Sequence, residues 1–218
     1  YYYFSMLAIT FVALVRGPMV AMFSCMPLTL APLGLRKRFI LVAILLVGGL
    51  VLFNTDRVQQ RMFATGSGDI ADVRLDNPDL RDTARKAMWD TLLLGVRENP
   101  SFGNGWNSHR EVLLKAGFQT YAPHNDWLKL WHDIGALGIG LYGLTMLLQI
   151  FFLVQIARGS TDSHRMLAYG AATAFIPYML IMFTDNVVLY VQFFGNLHFA
   201  LIGIIYGAVN RVEGYANA

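Results

Sequence analysis

The feature that most constrains this chain is a series of apolar runs, each close to the length of a helix that crosses a bilayer. Hydrophobic residues make up 56% of the sequence and charged residues 14%, whereas soluble domains carry about 25% charged residues. Crossing a hydrocarbon core about 30 Å thick takes about 20 apolar helical residues. In a compact soluble fold such runs would be exposed to water, so the composition predicts an integral membrane protein.

The apolar runs predict a polytopic, all-α transmembrane helix bundle. Because residue 1 is Tyr1 and already lies within an apolar run, we expect further helices upstream. The first two runs can also be read as one interrupted unit, and the last two are joined by a tight turn. The six candidate helices are residues 1–15, 18–35, 39–53, 137–156, 166–183 and 187–209.

Short basic connections orient these helices, because lysine and arginine in short loops are retained on the cytoplasmic side. The strongest cluster is Arg36-Lys37-Arg38. If this cluster is cytoplasmic, the next helix runs outward and the long polar stretch after it lies outside. The other short basic connections, at Arg158, Arg165 and Arg211, then all fall on the cytoplasmic side.

The chain is therefore expected to have three parts: transmembrane helices in residues 1–53, a long, partly helical periplasmic loop carrying the site in residues 54–127, and transmembrane helices in residues 128–218. The net charge of +3 comes mainly from the short basic connections, and the charges of the loop nearly balance. The basic character thus reflects topology, and no nucleic-acid partner is expected.

Within the outer loop the composition changes near residue 78. Residues 54–77 carry Thr65-Gly-Ser-Gly68 and scattered charges, which predicts a mobile or loosely packed segment. Asp79 or Asp82 is then expected to cap a helix that has apolar residues at helical spacing and ends near Gly95 or Asn99. On that helix Arg85 and Trp89 are four residues apart and share a face.

Residues suited to glycan chemistry follow one another in a particular order along the chain. The order is Arg16-Gly17, Arg85-x-x-x-Trp89, Asn99-Pro-Ser-Phe-Gly-Asn-Gly105, His124-Asn125-x-x-Leu128, Gly135-x-x-Gly138 and Thr184-Asp185-Asn186. This order resembles the O-antigen ligase and Wzy-type polymerase superfamily, and the resemblance covers roughly the whole chain as the C-terminal half of such a protein. Each motif is weak alone, whereas their joint order and topology are more specific.

The resemblance implies transfer of a glycan from an undecaprenyl-pyrophosphate carrier to a saccharide or lipid A-core acceptor, in the bacterial inner membrane with the active site facing the periplasm. It implies neither a metal nor another cofactor. His124 is then the catalytic residue, and Arg16 and Arg85 bind the pyrophosphate. The candidate supporting residues are Asn125, Asp126, Asp185, Arg110 and Trp89.

The chemistry of these side chains agrees with the resemblance. Breaking a sugar–pyrophosphate bond puts negative charge on the leaving group, and arginine holds such charge bidentately. The acceptor hydroxyl must lose a proton, and histidine, with an ordinary pKa of about 6.5, can take it near neutral pH. Without a covalent intermediate the attack inverts the anomeric carbon.

Each of these residues also has an ordinary structural interpretation. Arg16 could snorkel at a helix end, and Arg85 could lie on a solvated helix face. His124 could cap the following helix. For at least one of Asn125 and Asp126, capping this helix is the better interpretation. The tryptophans and Tyr121 fit an interfacial aromatic belt. The remaining histidines, His109, His132, His164 and His198, show no metal-ligand spacing.

Several functions remain open at the level of sequence. A ligase, a repeat-unit polymerase and a protein-directed transferase share these motifs. A membrane transporter or channel would place ionisable residues in the middle of its helices, and residues 39–53 and 137–156 contain none. A noncatalytic membrane scaffold would tolerate substitution of Arg85 and His124.

Overall fold

The computed structural model describes residues 25, 27–74, 77–79, 83–189 and 195–216. In these residues the chain is mostly helical and contains no β-strand, as the sequence predicts. A single 3₁₀ turn spans Ile70–Asp72. The α-helices are α1 Leu35–Phe53, α2 Asp56–Met62, α3 Thr83–Glu98, α4 Ser108–Lys115, α5 Asp126–Gly159, α6 Asp162–Ile181 and α7 Gly195–Ala216.

Of the described helices, α5 is long and apolar enough to cross a membrane. Helices α1 and α2, which are bent by 75° relative to each other, would add a second span if the pair forms one unit. The complete polytopic bundle and the periplasmic position of the loop stay predictions.

The chain divides into two compact units. One unit is Ile40–Ile139, which contains the outer loop, and the other combines Tyr1–Phe39 with Gly140–Ala218. The first unit has its own small core, in which α3, α4 and the start of α5 pack together. Its buried apolar residues are Met88, Leu92, Val96, Leu113 and Leu128.

Helix α3 confirms the helix expected in the outer loop, because buried residues recur every four positions at Met88, Leu92 and Val96. The expected cap at Asp79 is wrong. Its carboxylate accepts hydrogen bonds from the Thr65 amide at 2.8 Å and the Thr65 hydroxyl at 2.6 Å. Asp79 lies four positions before the helix begins, and Asp82 lies outside the described residues.

The segment of residues 54–77, expected to be mobile or loosely packed, is mostly exposed in its described part but contains specific contacts. Gln59 is buried in α2, where its amide donates to the Phe53 carbonyl at 2.9 Å and accepts from the Gly68 amide at 2.7 Å. Phe63, four residues after Gln59, is fully buried. The Gln59 side chain thus joins the backbone at Phe53 to the backbone at Gly68. The amino-acid composition alone does not reveal these contacts.

Two of the expected membrane helices have different boundaries. Residues 27–34 are not helical, since Pro27 and Pro32 interrupt the backbone pattern, and α1 begins only at Leu35. The last helix begins at Gly195 rather than at residue 187. The expected helix 1–15 and most of 18–35 lie outside the described residues.

Helix α5 is broken at Gly135, whose φ is 68° and ψ −178°. Only glycine adopts this conformation without strain. The part before the break carries His132 and Asp133, and the part after it contains the apolar run 137–156. The break therefore separates a polar helical segment from the expected membrane span.

Candidate functional site

His124 lies in a backbone segment that is fixed on both sides. Its φ is 53°, a left-handed conformation that few residues other than glycine adopt and that concentrates at functional sites. Pro123 before it is buried, and its carbonyl oxygen accepts a 2.7 Å hydrogen bond from the Trp89 indole nitrogen. This bond ties α3 to the residue that precedes the predicted catalytic histidine.

Asn125 caps α5, as one of the two structural interpretations predicted. Its side-chain oxygen accepts a 3.0 Å hydrogen bond from the Leu128 amide, the bond that defines an N-cap. Asp126 is the first residue of the helix and is completely buried, where it forms a 2.9 Å ion pair with Lys129. Removing one partner from such a buried pair costs about 3–5 kcal/mol, so the pair fixes the first turn of α5.

Arg85 is half-buried in α3, one helical turn before Trp89. Residues four apart lie on the same face of a helix. Trp89 packs against the small core and bonds to Pro123, so the face that carries Arg85 is directed toward the same segment. The structure therefore brings Trp89 to the segment that precedes His124, and Arg85 lies one turn away on the same face of α3.

Asp133 is the centre of a buried polar network that the sequence did not single out. One carboxylate oxygen accepts hydrogen bonds from the Ser108 hydroxyl at 3.0 Å, the His109 amide at 2.9 Å and His132 Nδ1 at 3.0 Å. The other oxygen accepts from the Asn107 amide at 3.0 Å and from His109 Nδ1 at 2.6 Å. The network joins the start of α4 to α5.

These contacts set the charge state of the network. Burial acts to raise the pKa of Asp133, but hydrogen bonds from His109 and His132 hold that pKa well below its ordinary value. The carboxylate is therefore ionised at neutral pH. Each Nδ1 therefore donates to the carboxylate, and each Nε2 is buried without a hydrogen-bond partner.

The glycine-rich loop of residues 99–105 is bound to the backbone around the break in α5. Gly135 lies directly against this loop. A Cβ on Gly135 would clash with the Ser101 carbonyl oxygen and with the Gly103 amide nitrogen. Four backbone hydrogen bonds join the two segments, Asn104 N to His132 O (2.9 Å), Gly105 N to Asp133 O (2.9 Å), Ala136 N to Pro100 O (2.8 Å) and Leu137 N to Ser101 O (3.1 Å).

Gly103 and Gly105 form a turn, with φ of 74° at Gly103 and 102° at Gly105. The amides of both glycines are occupied by backbone carbonyls. The Gly103 amide donates to the Asn99 carbonyl at 3.0 Å, and the Gly105 amide donates to the Asp133 carbonyl. The motif thus joins the backbone of this loop to the backbone at the end of the polar part of α5.

Three further residues predicted for the site are Arg16, Arg110 and Asp185. Arg16 lies outside the described residues. Arg110 stacks on the Tyr121 ring, with its guanidinium carbon 4.5 Å from the ring centroid. Asp185 belongs to the other compact unit, where its carboxylate accepts a 2.8 Å hydrogen bond from the Asn186 amide.

The sequence analysis missed Lys129 and the network of Asp133 with its two histidines. A signal was available: residues 126–133 hold four charged or histidine side chains just before an apolar run, and polar groups at such a junction need buried partners. In the part of the chain that the structure describes, no three His, Cys, Asp or Glu side chains are arranged as a metal site.

Comparison with known proteins agrees with the order of the motifs. Residues 1–143 match the family described as O-antigen ligase. An uncharacterized protein of Haemophilus influenzae is 26% identical over 126 residues, which are 53% of this chain and 32% of that protein. The match thus spans about a third of the relative's length. The family match covers well over half of the chain, which therefore belongs to the O-antigen ligase family.

Proposed function

We propose that the protein containing this chain transfers a glycan from an undecaprenyl-pyrophosphate carrier to a saccharide or lipid A-core acceptor, at the periplasmic face of the bacterial inner membrane. The observation that carries the proposal is the 2.7 Å hydrogen bond from Trp89 to the Pro123 carbonyl. It supports a site in which the α3 face with Arg85 adjoins the strained residue His124. Family membership supports a glycan-transferring activity in general.

In the proposed reaction the acceptor hydroxyl oxygen attacks the anomeric carbon of the donor sugar. The new carbon–oxygen bond forms as the bond from that carbon to the pyrophosphate oxygen breaks, and its electron pair leaves with the pyrophosphate. His124 takes the hydroxyl proton as general base, while Arg85 and Arg16 offset the charge on the leaving group. One displacement without a covalent intermediate gives inversion.

The local structure suits His124 to this role. A general base must be held in position relative to the proton that it removes. His124 is flanked by a buried proline whose carbonyl is bonded and by an asparagine that caps α5. Its backbone can therefore move little, although its side chain is only half-buried, which leaves the imidazole accessible to a substrate.

The direct test reconstitutes the full-length protein in vesicles with a glycan on undecaprenyl pyrophosphate and an acceptor. His124→Ala should lower the rate of transfer about 10²-fold or more while the protein still inserts and folds. His164→Ala, which removes another half-buried histidine in α6, is the matched control and should retain activity. Full activity of the His124→Ala protein would disprove its role as base.

A second pair of variants tests the pyrophosphate contact. Arg85→Ala should lower transfer about 10²-fold, and Arg85→Lys should recover only part of the loss because lysine lacks the bidentate fork. Arg97→Ala, an exposed arginine on the same helix, is the control. Equal activity of the Arg85 and Arg97 variants would contradict the assignment.

The products distinguish the acceptors. A ladder of free glycan would identify a polymerase, and glycan coupled to the lipid A-core would identify a ligase. Movement of the glycan across the vesicle without a new glycosidic bond would identify a transporter and refute the proposed reaction.

A further inference from the structure

The loop between α3 and α4 exposes two large aromatic side chains. Phe102 is 79% exposed and Trp106 is 71% exposed. Large apolar side chains are normally buried, and neighbouring exposed ones mark an interaction surface. Their exposure therefore needs an explanation in terms of what covers them.

The loop that carries these side chains is well fixed. The Gly103 amide, between the two aromatic residues, donates to the Asn99 carbonyl at 3.0 Å, and the next two amides donate to backbone carbonyls at the end of the polar part of α5. Phe102 and Trp106 therefore hold a defined position relative to α5, and their exposure is not a matter of a loose loop.

The position of the loop coincides with the beginning of the apolar run of α5. The Ser101 carbonyl accepts a 3.1 Å hydrogen bond from the amide of Leu137, the first residue of that run, whose side chain is 56% exposed. Trp131, one turn before the break, is 38% exposed and donates its indole N–H to the Pro100 carbonyl at 3.2 Å. Exposed aromatic surface is thus continuous with the start of the expected membrane span.

The charge pattern indicates what kind of surface covers this region. Residues 99–108 contain no Lys, Arg, Asp or Glu, although Arg97 and Glu98 precede them and Arg110 and Glu111 follow soon after. Inserting a charge below the hydrocarbon boundary is costly, whereas tryptophan is enriched at that boundary and phenylalanine is common on the apolar face of segments that lie in it. An uncharged aromatic loop between charged flanks is the pattern expected of a segment that touches lipid.

We infer that Phe102, Trp106 and Trp131 form an aromatic anchor that inserts into the interfacial region of the bilayer, in the leaflet where the α5 span begins. The indole N–H of Trp131 is satisfied within the protein, so its ring enters apolar surroundings at little cost. This location does not depend on the reaction. If the proposed function holds, the anchor also keeps the site at the depth of the donor's pyrophosphate head.

The test measures the depth of the loop in full-length protein whose native cysteines have been replaced. Single cysteines, Phe102→Cys, Trp106→Cys and Lys115→Cys, are labelled with the fluorophore NBD in phosphatidylethanolamine and phosphatidylglycerol vesicles. Lys115 is the control, because it is 75% exposed and paired with Glu111, as expected of a side chain in water. A nitroxide on lipid chains and dissolved iodide serve as the two quenchers.

The anchor predicts that labels at positions 102 and 106 lose fluorescence to the lipid nitroxide and little to iodide, whereas the label at 115 shows the reverse. Quenching of 102 and 106 by iodide alone would place the loop in water. Protection from both quenchers would mean that protein covers it. Either result overturns the inference. Repeating the measurement with His124→Ala separates location from catalysis, since the anchor requires unchanged quenching in a protein whose transfer is strongly reduced.

Discussion

Replacing Asp133 with asparagine tests whether one carboxylate stabilises the packing of α4 against α5 in the unit Ile40–Ile139. The carboxylate accepts five hydrogen bonds, from a hydroxyl, two backbone amides and two imidazoles. Asparagine keeps one acceptor oxygen and puts an NH₂ group in the place of the other. If the NH₂ group takes the place of Oδ2, it faces the Asn107 amide and His109 Nδ1, both of which donate.

The cost follows from the number of donors that lose an acceptor. A change of tautomer at His109 would let Nδ1 accept, but its proton would then sit on Nε2, which has no partner. At least two donors thus lose their acceptor, the part-buried Asn107 amide and the buried His109 imidazole, and each buried one costs about 1–3 kcal/mol. We expect a loss of about 3 kcal/mol, which corresponds to about 10²-fold easier local opening, since 1.4 kcal/mol is tenfold.

Amide hydrogen exchange of the full-length protein in detergent measures this opening. Amides of residues 104–109 in Asp133→Asn should exchange about 10²-fold faster than in the unchanged protein. Asp90→Asn is the matched control. Asp90 is 59% exposed in a surface pair with Lys86, and its loss should change stability by less than about 1 kcal/mol. Unchanged protection of 104–109 in the Asp133 variant would refute the reasoning.

The same carboxylate predicts how the network responds to pH. Burial acts to raise the pKa of Asp133, but the hydrogen bonds from His109 and His132 hold it below its ordinary value of 3.8. Because the folded-state pKa is the lower one, the stabilisation is fully present above 3.8 and is lost as the pH falls toward the folded-state pKa. Protection factors of residues 104–109 should therefore stay constant between about pH 7 and 5, and a loss in that range would contradict the assignment.

Three further substitutions probe the backbone and the site. In a thermal melt, Gly135→Ala should destabilise the protein by about 3 kcal/mol or more, because the φ of Gly135 is 68° and a Cβ would clash with a carbonyl oxygen. Gly140→Ala, with open space around it, should be neutral or stabilising in the same measurement. Trp89→Phe removes the bond to Pro123 and should cost about 1 kcal/mol in stability but about tenfold in transfer rate; equal rates would disprove its positioning role. Asn125→Ala should lower stability by about 1 kcal/mol, and Asn125→Ser should largely restore the melting temperature.

Local rules were enough for several parts of this chain. Helix α3 follows from apolar residues four apart, and the cap at Asn125 follows from a short polar side chain before a helix. The pairing of Trp89 with the His124 segment was not predicted, although the motif order named both. Residues 34 positions apart meet only through the packing of α3 against the start of α5.

The Asp133 network shows why the rest was missed. Its members belong to two segments 24 residues apart, and neither segment carries a pattern that identifies the other. Sequence spacing tests His109 and His132 only as metal ligands. In the structure both form hydrogen bonds with the Asp133 carboxylate. The convergence of Arg16 with Arg85 and His124, and any role of Asp185, stay predictions.

If His124 is the base that we propose, two requirements fall on one position, a side chain for proton transfer and a left-handed torsion that most residues resist. Asparagine tolerates that torsion far better than alanine does. An asparagine at position 124 would therefore preserve the shape of the loop while abolishing base chemistry. A natural sequence with asparagine there would denote a folded protein that has given up catalysis and kept its hold on the substrate.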